Sequence, residues 1–270
     1  MQDSLNWFAN RVQLPMETKY NFIQSVGRAL GILEQFSRDE RAMGVTAIAK
    51  RVGIHKSTCF GLLHTLQQLG YVQQDASTGQ YSLGLKTFEL GQAYIDGLDL
   101  RYITRPFLLE ILEKTQETVH LVLAEGCRAV YIDKVESPHA MTISSRIGQE
   151  AKLHCTGVGK VLLAYMREED WDQVVSKGLE RYTEHTITDE RELLEHLKRI
   201  RECGHGVDDQ EREIGLRCVA APIFNARKQA IAAISISGPS SRITSEKQGD
   251  LSQIIEQATQ KISRKLGYRP

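Results

Sequence analysis

The chain has 270 residues, 41% of them hydrophobic, and its 34 lysines and arginines balance its 34 aspartates and glutamates to a net charge of zero. That length calls for about two domains with real cores, and the balance excludes a polybasic coat, so any affinity for phosphates must come from a local patch. No apolar run reaches the ~18–20 residues of a membrane span. The first residues lack the basic-then-apolar pattern of a secretory signal, and five scattered cysteines without a C-x-x-C read as reduced thiols, so the expected location is the cytoplasm.

Residues 1–20 show little periodicity beyond Leu5, Trp7, Phe8 and Val12 and read as an N-terminal arm. Residues 21–83 read as a DNA-binding domain. Its first helix is Asn21–Phe36, with Val26, Ala29, Leu30 and Leu33 as the apolar stripe and Arg38–Arg41 as a solvated loop. Thr46 is placed to cap a second helix with Ala47, Ile48, Ala49 and Val52 buried, and Gly53 supplies the positive φ of a tight turn. Ser57 is placed to cap a third helix, with Leu62, Leu63, Leu66 and Leu69 at helical spacing and Gly70 as the stop. Tyr71–Gln74, a Ser77-Thr-Gly79 turn and Gln80–Leu83 complete a short hairpin. Two helices around a tight turn and a hairpin behind them are the layout of a winged helix-turn-helix.

The chemistry of the third helix fits a DNA groove. Lys56, Ser57, Thr58, Phe60, Gly61, His64 and Thr65 share the face opposite the leucines, and Thr46 joins them from the helix before. Small and polar side chains at a helix N-terminus suit close approach to phosphates and base edges. From Thr46 to Gly70 there is no acid, while Lys50, Arg51 and Lys56 are basic. So few cations per chain favour two subunits on one palindromic site. Thr78 and Gln80 of the hairpin read equally as phosphate contacts or as turn residues.

Residues 84–98 read as a linker helix whose Leu85, Phe88, Leu90, Tyr94 and Ile95 call for a second subunit. The body, 99–270, continues with a helix over Ile103–Thr115 holding Pro106 in its first turns. Strands follow at Val119–Ala124, Arg128–Val135 and Ala140–Arg146, then a buried helix at Gly157–Tyr165. Thr188-Asp-Glu opens a helix ending at Cys203. Strands Arg217–Phe224 and Ala230–Ser237 and a final helix Ser245–Leu266 close the chain. Hairpin-linked strands with helices between and after them give an α+β fold with an antiparallel sheet.

These blocks resemble the IclR family of bacterial transcriptional regulators from Ser25 onward. The resemblance is carried by Lys56-Ser-Thr, Leu69-Gly-Tyr-Val72, Tyr81-Ser-Leu-Gly84, Leu153–Lys160, Arg201-Glu-Cys-Gly204, Asp208-Asp-Gln-Glu211, Gly215–Ala220 and Ile234–Pro239. It implies a winged helix-turn-helix head, a GAF-like effector domain, and dimers or tetramers that bind a small molecule and regulate an operon as a repressor. Tyr131-Ile-Asp-Lys134 and Ser145-Arg-Ile-Gly148 are similar to the sugar-acid-responsive branch. The effector pocket carried over by these motifs falls on Gly157, Val158, Asp208, Leu216, Cys218, Ser235 and Ser237.

Chemistry supports such a pocket independently. Gly157, Val158 and Gly159 place amides at a helix N-terminus, a carboxylate site, and Ser235 and Ser237 share one face of a strand. Ile143, Leu216 and Cys218 supply apolar walls. Alternation equally allows Ser235 and Ser237 to face solvent while Ile234 and Ile236 face the core. Asp208 suits ligand hydroxyls or the loop backbone better than an anion. The reading calls for double-stranded DNA and a small organic acid as partners, with no membrane, no cofactor, no metal and no catalytic residue. A constitutive architectural DNA binder stays open, as does a cysteine–histidine enzyme or metal sensor built from His154, Cys155, Cys203, His205 and Cys218, although neither acyl-transfer nor zinc-finger spacing is present.

Overall fold

The computed structural model describes residues 22–36, 40–96, 99–139 and 143–269, with the side chains of 94–96 and 99 outside that description. The N-terminal arm, residues 38 and 39 of the 38–41 loop and the side chains of Tyr94 and Ile95 therefore lie outside the described residues. The chain forms two compact units, Met1–Gly97 and Leu98–Pro270.

The first unit holds α1 (Gln24–Leu33), α2 (Val45–Val52), α3 (Lys56–Gln68), a two-stranded hairpin β1 (Val72–Gln74) and β2 (Tyr81–Leu83), and α4 (Leu85–Asp96). Ile32, Ile48, Val52, Cys59, Leu63, Leu66, Val72 and Tyr81 form its core. Strands of three residues are stable here because β1 and β2 pair antiparallel while Met43 bridges Tyr81 on the other side. Gly53 has φ 69°, the left-handed turn expected between α2 and α3. At Gly84 a Cβ would run into the Gly70 carbonyl, which fixes the exit of the hairpin against the end of α3.

Three local expectations are corrected. The N-cap positions of α2 and α3 are Gly44 and His55, neither with a side-chain cap, so Thr46 and Ser57 sit inside the first turns. The buried stripe of α1 is one step round from the expected one: Gly31 and Ile32 are buried, whereas Val26 and Leu30 are exposed. Leu69 is also exposed, and Cys59 takes its place in the core of α3.

The second unit contains α5 (Asp99–Thr115), β3 (Thr118–Glu125), β4 (Arg128–Val135), α6 (Gly157–Tyr165), α7 (Glu168–Ser176), α8 (Glu190–Cys203), β5 (Gly206–Asp209), β6 (Leu216–Phe224), β7 (Ala230–Pro239) and α9 (Ser245–Lys265). Its sheet has the order β4-β3-β7-β6-β5 with every pair antiparallel. Alternation then splits the strand residues between two cores. Val119, Leu121, Val219, Ile234 and Ile236 pack with Leu108 and Ile111 of α5 and Ile255 and Ile262 of α9. Val122, Ala220 and Ala233 pack on the other face with Val161 and Leu162 of α6 and Leu193, Leu197 and Ile200 of α8.

Helices thus pack on both faces of the sheet, α5 and α9 on one and α6 and α8 on the other. Helix α5 begins four residues before the expected start, which puts Pro106 inside the helix, where its missing N–H removes one rung of the ladder. Residues 143–146 form a loop rather than the expected strand, while 140–142 lie outside the described residues. Helix α7 and the short edge strand β5 are elements that periodicity alone does not announce, although Glu168, Glu169 and Asp170 mark the start of α7.

Candidate functional site

In the first unit, Lys56, Ser57, Thr58, Phe60, Gly61, His64 and Thr65 are all exposed on α3, and Thr46 is exposed on α2. The face exists because Cys59, Leu63 and Leu66 turn inward at helical spacing. With no side-chain cap at its start, the first turn of α3 presents backbone N–H groups at the positive end of the helix dipole. Phe60 is 55% exposed, an aromatic on an otherwise polar face. Thr65 spends its hydroxyl on the Gly61 carbonyl at 3.0 Å.

The local charge is more modest than the sequence alone suggests. Arg51 pairs with Glu40, brought in from the preceding loop. At the hairpin tip, Asp75 accepts from the Ser77 hydroxyl at 2.5 Å and from the backbone N–H groups of Thr78 and Ser77, each at 2.8 Å, and these bonds hold its carboxyl down at about 2. Thr78 Oγ1 in turn accepts from Gln80 N at 3.3 Å, so both residues serve the turn.

In the second unit a cavity of about 60 Å³ opens between the sheet, the start of α6 and the loop 143–152. Seven of the eight residues singled out for an effector line it: Ile143, Val158, Asp208, Leu216, Cys218, Ser235 and Ser237. Strand pairing brings them together, since Cys218 lies opposite both Asp208 and Ser237. Ser235 and Ser237 are buried at 2% and 5% exposure, which settles the alternation in favour of the cavity, with Ile234 and Ile236 in the opposite core.

The eighth residue plays another part. Gly157 directs its N–H at the Cys218 sulfur, and a Cβ there would lie 2.8 Å from that sulfur. The Gly159 N–H is capped by Thr156 Oγ1 at 3.0 Å. Of the three amides expected to receive a carboxylate, two thus have partners within the protein. Asp208 binds the loop backbone, its Oδ1 accepting from Glu211 N at 2.8 Å, and burial raises its carboxyl to about 7.

The cavity also holds residues that sequence reasoning missed. His120 on β3 lies opposite Ser235 on β7. Its Nδ1 is 3.3 Å from Ser235 Oγ and 3.4 Å from Ser237 Oγ, and its Nε2 is 2.7 Å from Ser145 Oγ. Burial, with Lys134 nearby, pushes this imidazole down to about 3, so it is uncharged. Lys134 reaches under the loop and donates to the carbonyls of Ile143 and Ser145 at 3.1 and 3.0 Å. Tyr131 packs edge-on against His120 with ring centroids 5.3 Å apart. Lys152 and Arg212 also line the cavity and gather on the Tyr182 ring, with the acids Glu150 and Glu213 in the same lining. A polar His120 between Val119 and Leu121 was the one signal available in sequence.

The cysteines and histidines follow separate paths. His154 Nε2 bonds the Glu180 carbonyl at 2.9 Å, and burial raises the Cys155 thiol to about 12. Cys203 donates to the His205 carbonyl at 3.1 Å, while His205 Nδ1 meets Glu256 at 2.7 Å. Burial also raises Cys218, so these buried thiols are poor nucleophiles. Among the described residues no group of three His, Cys, Asp or Glu is arranged to hold a metal ion.

Comparison with known proteins agrees with both halves. Residues 25–76 match the IclR helix-turn-helix domain and residues 92–264 match the bacterial transcriptional regulator IclR C-terminal domain. The chain is 39% identical over 248 residues to the HTH-type transcriptional regulator KdgR of Escherichia coli (strain K12), covering 91% of this chain and 94% of that protein. It is 34% identical over 248 residues to the transcriptional repressor IclR of the same organism, covering 91% and 90%. The crystal structure of the Thermotoga maritima IclR superposes with a TM-score of 0.72 at 33% identity, covering 92% of this chain and all of that one. An exposed polar face on α3 in one unit and a polar cavity in the other are thus carried by a chain that belongs to the IclR family of bacterial transcriptional regulators.

Proposed function

We propose that this regulator is a repressor of a catabolic operon, released or engaged by a small organic acid bound in the second unit. The observation that carries the reading is the cavity: seven residues from a loop, a helix and three strands converge on one partly open space with polar groups in its floor. A body that served only for assembly has no need of buried serines and an uncharged histidine around a void. The kinship to a transcriptional repressor supports the sign of regulation, and the resemblance to the sugar-acid-responsive branch supports the effector class.

In this reading, residues 21–83 bind DNA, 84–98 link, and 99–270 bind the effector. Two subunits place α3 in successive major grooves of a palindromic operator in the cytoplasm, with Lys56 on phosphate and His64 and Phe60 near base edges. The acid presents its carboxylate to Lys152, Arg212 and the helix N-terminus at Val158, the cationic and amide groups of the lining. Effector and operator are coupled, so each changes the affinity of the other by the same factor, and ~1–3 kcal/mol of coupling suffices.

A thermal-shift screen of the full chain over small carboxylates, followed by operator gel shifts with each hit, tests this. A stabilising acid that also changes operator affinity is expected. The doubly substituted Ser235→Ala, Ser237→Ala protein is expected to keep its operator affinity and lose that response. A constitutive DNA binder would instead show operator binding indifferent to every acid.

A further inference from the structure

The cavity at His120 is too small for the molecule it would serve. About 60 Å³ holds about two waters, whereas small-molecule sites run to ~300–1,000 Å³, so part of the wall has to give way when a ligand enters. Most of the wall is fixed. His120, Ser235 and Cys218 stand on strands paired on both sides, and Val158 belongs to a buried helix. Ser145 is different: it sits on a loop whose flanking Ser144 and Arg146 are exposed. The far end of the loop is tied to β4 by backbone bonds of Gly148 and Gln149 with Tyr131 and of Ala151 with Ala129. Around Ser145 it is held by side chains: two bonds from Lys134, Ser144 Oγ on Glu213 at 3.3 Å, and the 2.7 Å contact of Ser145 Oγ with His120 Nε2.

Moving Ser145 leaves His120 Nε2 without its partner at a site 2% exposed to solvent. An unpaired buried polar atom is costly, so the incoming molecule must supply a replacement. The imidazole, Ser145, Ser235 and Ser237 form one uncharged array in which every hydroxyl can donate or accept. Such an array matches a ligand hydroxyl, which can also reverse its role. The cationic side chains of the lining, Lys152 and Arg212, are gathered elsewhere on Tyr182, where an anionic group finds its counter-charge.

Resting on the reading of this unit as the effector domain of a sugar-acid-responsive regulator, we propose that His120 is the residue that selects the effector, by exchanging its hydrogen bond to Ser145 for one to a ligand hydroxyl. His120 contacts the ligand directly. Ser145 acts as the hydroxyl that occupies the position while the site is empty.

The test is calorimetric titration of the full-length protein with gluconate and galacturonate, and with hexanoate as the hydroxyl-free acid of the same chain length as gluconate. At least one polyhydroxy acid is expected to bind ten times or more tightly than hexanoate. His120→Phe should weaken that binding by about ten- to a hundredfold and leave hexanoate unchanged. His120→Gln, which keeps an amide near the Nε2 position, should recover part of the loss and guards against a folding artefact. Ser145→Ala should tighten hydroxy-acid binding several-fold by removing the competitor. Hexanoate binding as well as the hydroxy acids, or a His120→Phe protein of unchanged affinity and melting temperature, overturns the proposal alone. If neither class of acid alters melting temperature or operator affinity, the organic-acid reading fails with it.

Discussion

Lys160 of α6, fully buried, places its Nζ on the carboxylate of Glu211, just after β5. His196 Nε2 of α8 lies 3.3 Å from the same ammonium, and Glu211 Oε2 has no partner. The pair ties the helix that starts at the cavity to the loop that follows Asp208 of β5 and carries Arg212. Removing one partner strands the other charge in the interior, so Lys160→Met or Glu211→Leu should destabilise by ~3–5 kcal/mol. The double substitution should recover most of that loss, because an apolar pair of similar volume replaces two desolvated ions. Urea unfolding of the three proteins decides it, and additive losses would contradict the pairing.

Stability should depend on pH with opposite slopes from different groups. His120 and His196 are drawn down from 6.5 to about 3 and about 4, chiefly by burial. Between pH ~6.5 and those values the unfolded chain holds protons that the folded chain refuses, so stability falls as pH drops. Asp208 is raised from 3.8 to about 7 by burial. Between those values the folded chain holds a proton the unfolded chain releases, so its contribution falls as pH rises and levels off above ~7. Relative to the parent, His120→Gln should gain stability toward pH 5, and Asp208→Asn should gain it from pH 5 to 7. Parallel curves in urea unfolding would reject both assignments.

On α3, Gly61 separates folding from binding. A Cβ there meets nothing within 4 Å, so Gly61→Ala should stabilise the first unit by ~0.5–1 kcal/mol through helix propensity. If the backbone approaches DNA at this point, the same methyl should weaken operator binding. Lys56→Ala should weaken binding to every sequence and lower its salt dependence, whereas His64→Ala should alter sequence preference. Footprints and salt titrations that do not change across these proteins would remove α3 from the groove.

Along α4, Leu85, Phe88 and Leu90 are 71%, 65% and 61% exposed, and on α1 Ile23, Val26 and Leu30 are exposed at helical spacing. So much apolar surface on two helices of one small unit calls for a second copy of the chain. Phe88→Glu with Leu85→Glu should yield monomers or loosened dimers on a sizing column, with operator affinity reduced in step. Oligomers of unchanged size would show that the contact lies elsewhere.

Much of this protein was legible before its coordinates. The helix-turn-helix, the strands β3, β4, β6 and β7 and the buried α6 follow from local rules: glycines at positive φ, apolar spacing and strand alternation act over a few residues. The cavity residues follow chiefly from the resemblance to the IclR family. The caps of α2 and α3 were misplaced because a helix can begin without a side-chain cap when solvent serves its first N–H groups. What lay beyond the sequence was long-range. Only the pairing of β3 with β7, 115 residues apart, sets His120 beside Ser235. Only the packing of Gly157 on Cys218 takes that one amide out of the expected anion site. Glu40 on Arg51, and Glu211 on Lys160, are likewise pairings that no local pattern encodes. Propensity and periodicity decide which element forms and which face it buries, whereas the partner of a polar group is decided by whichever chain segment the finished fold brings within hydrogen-bonding distance.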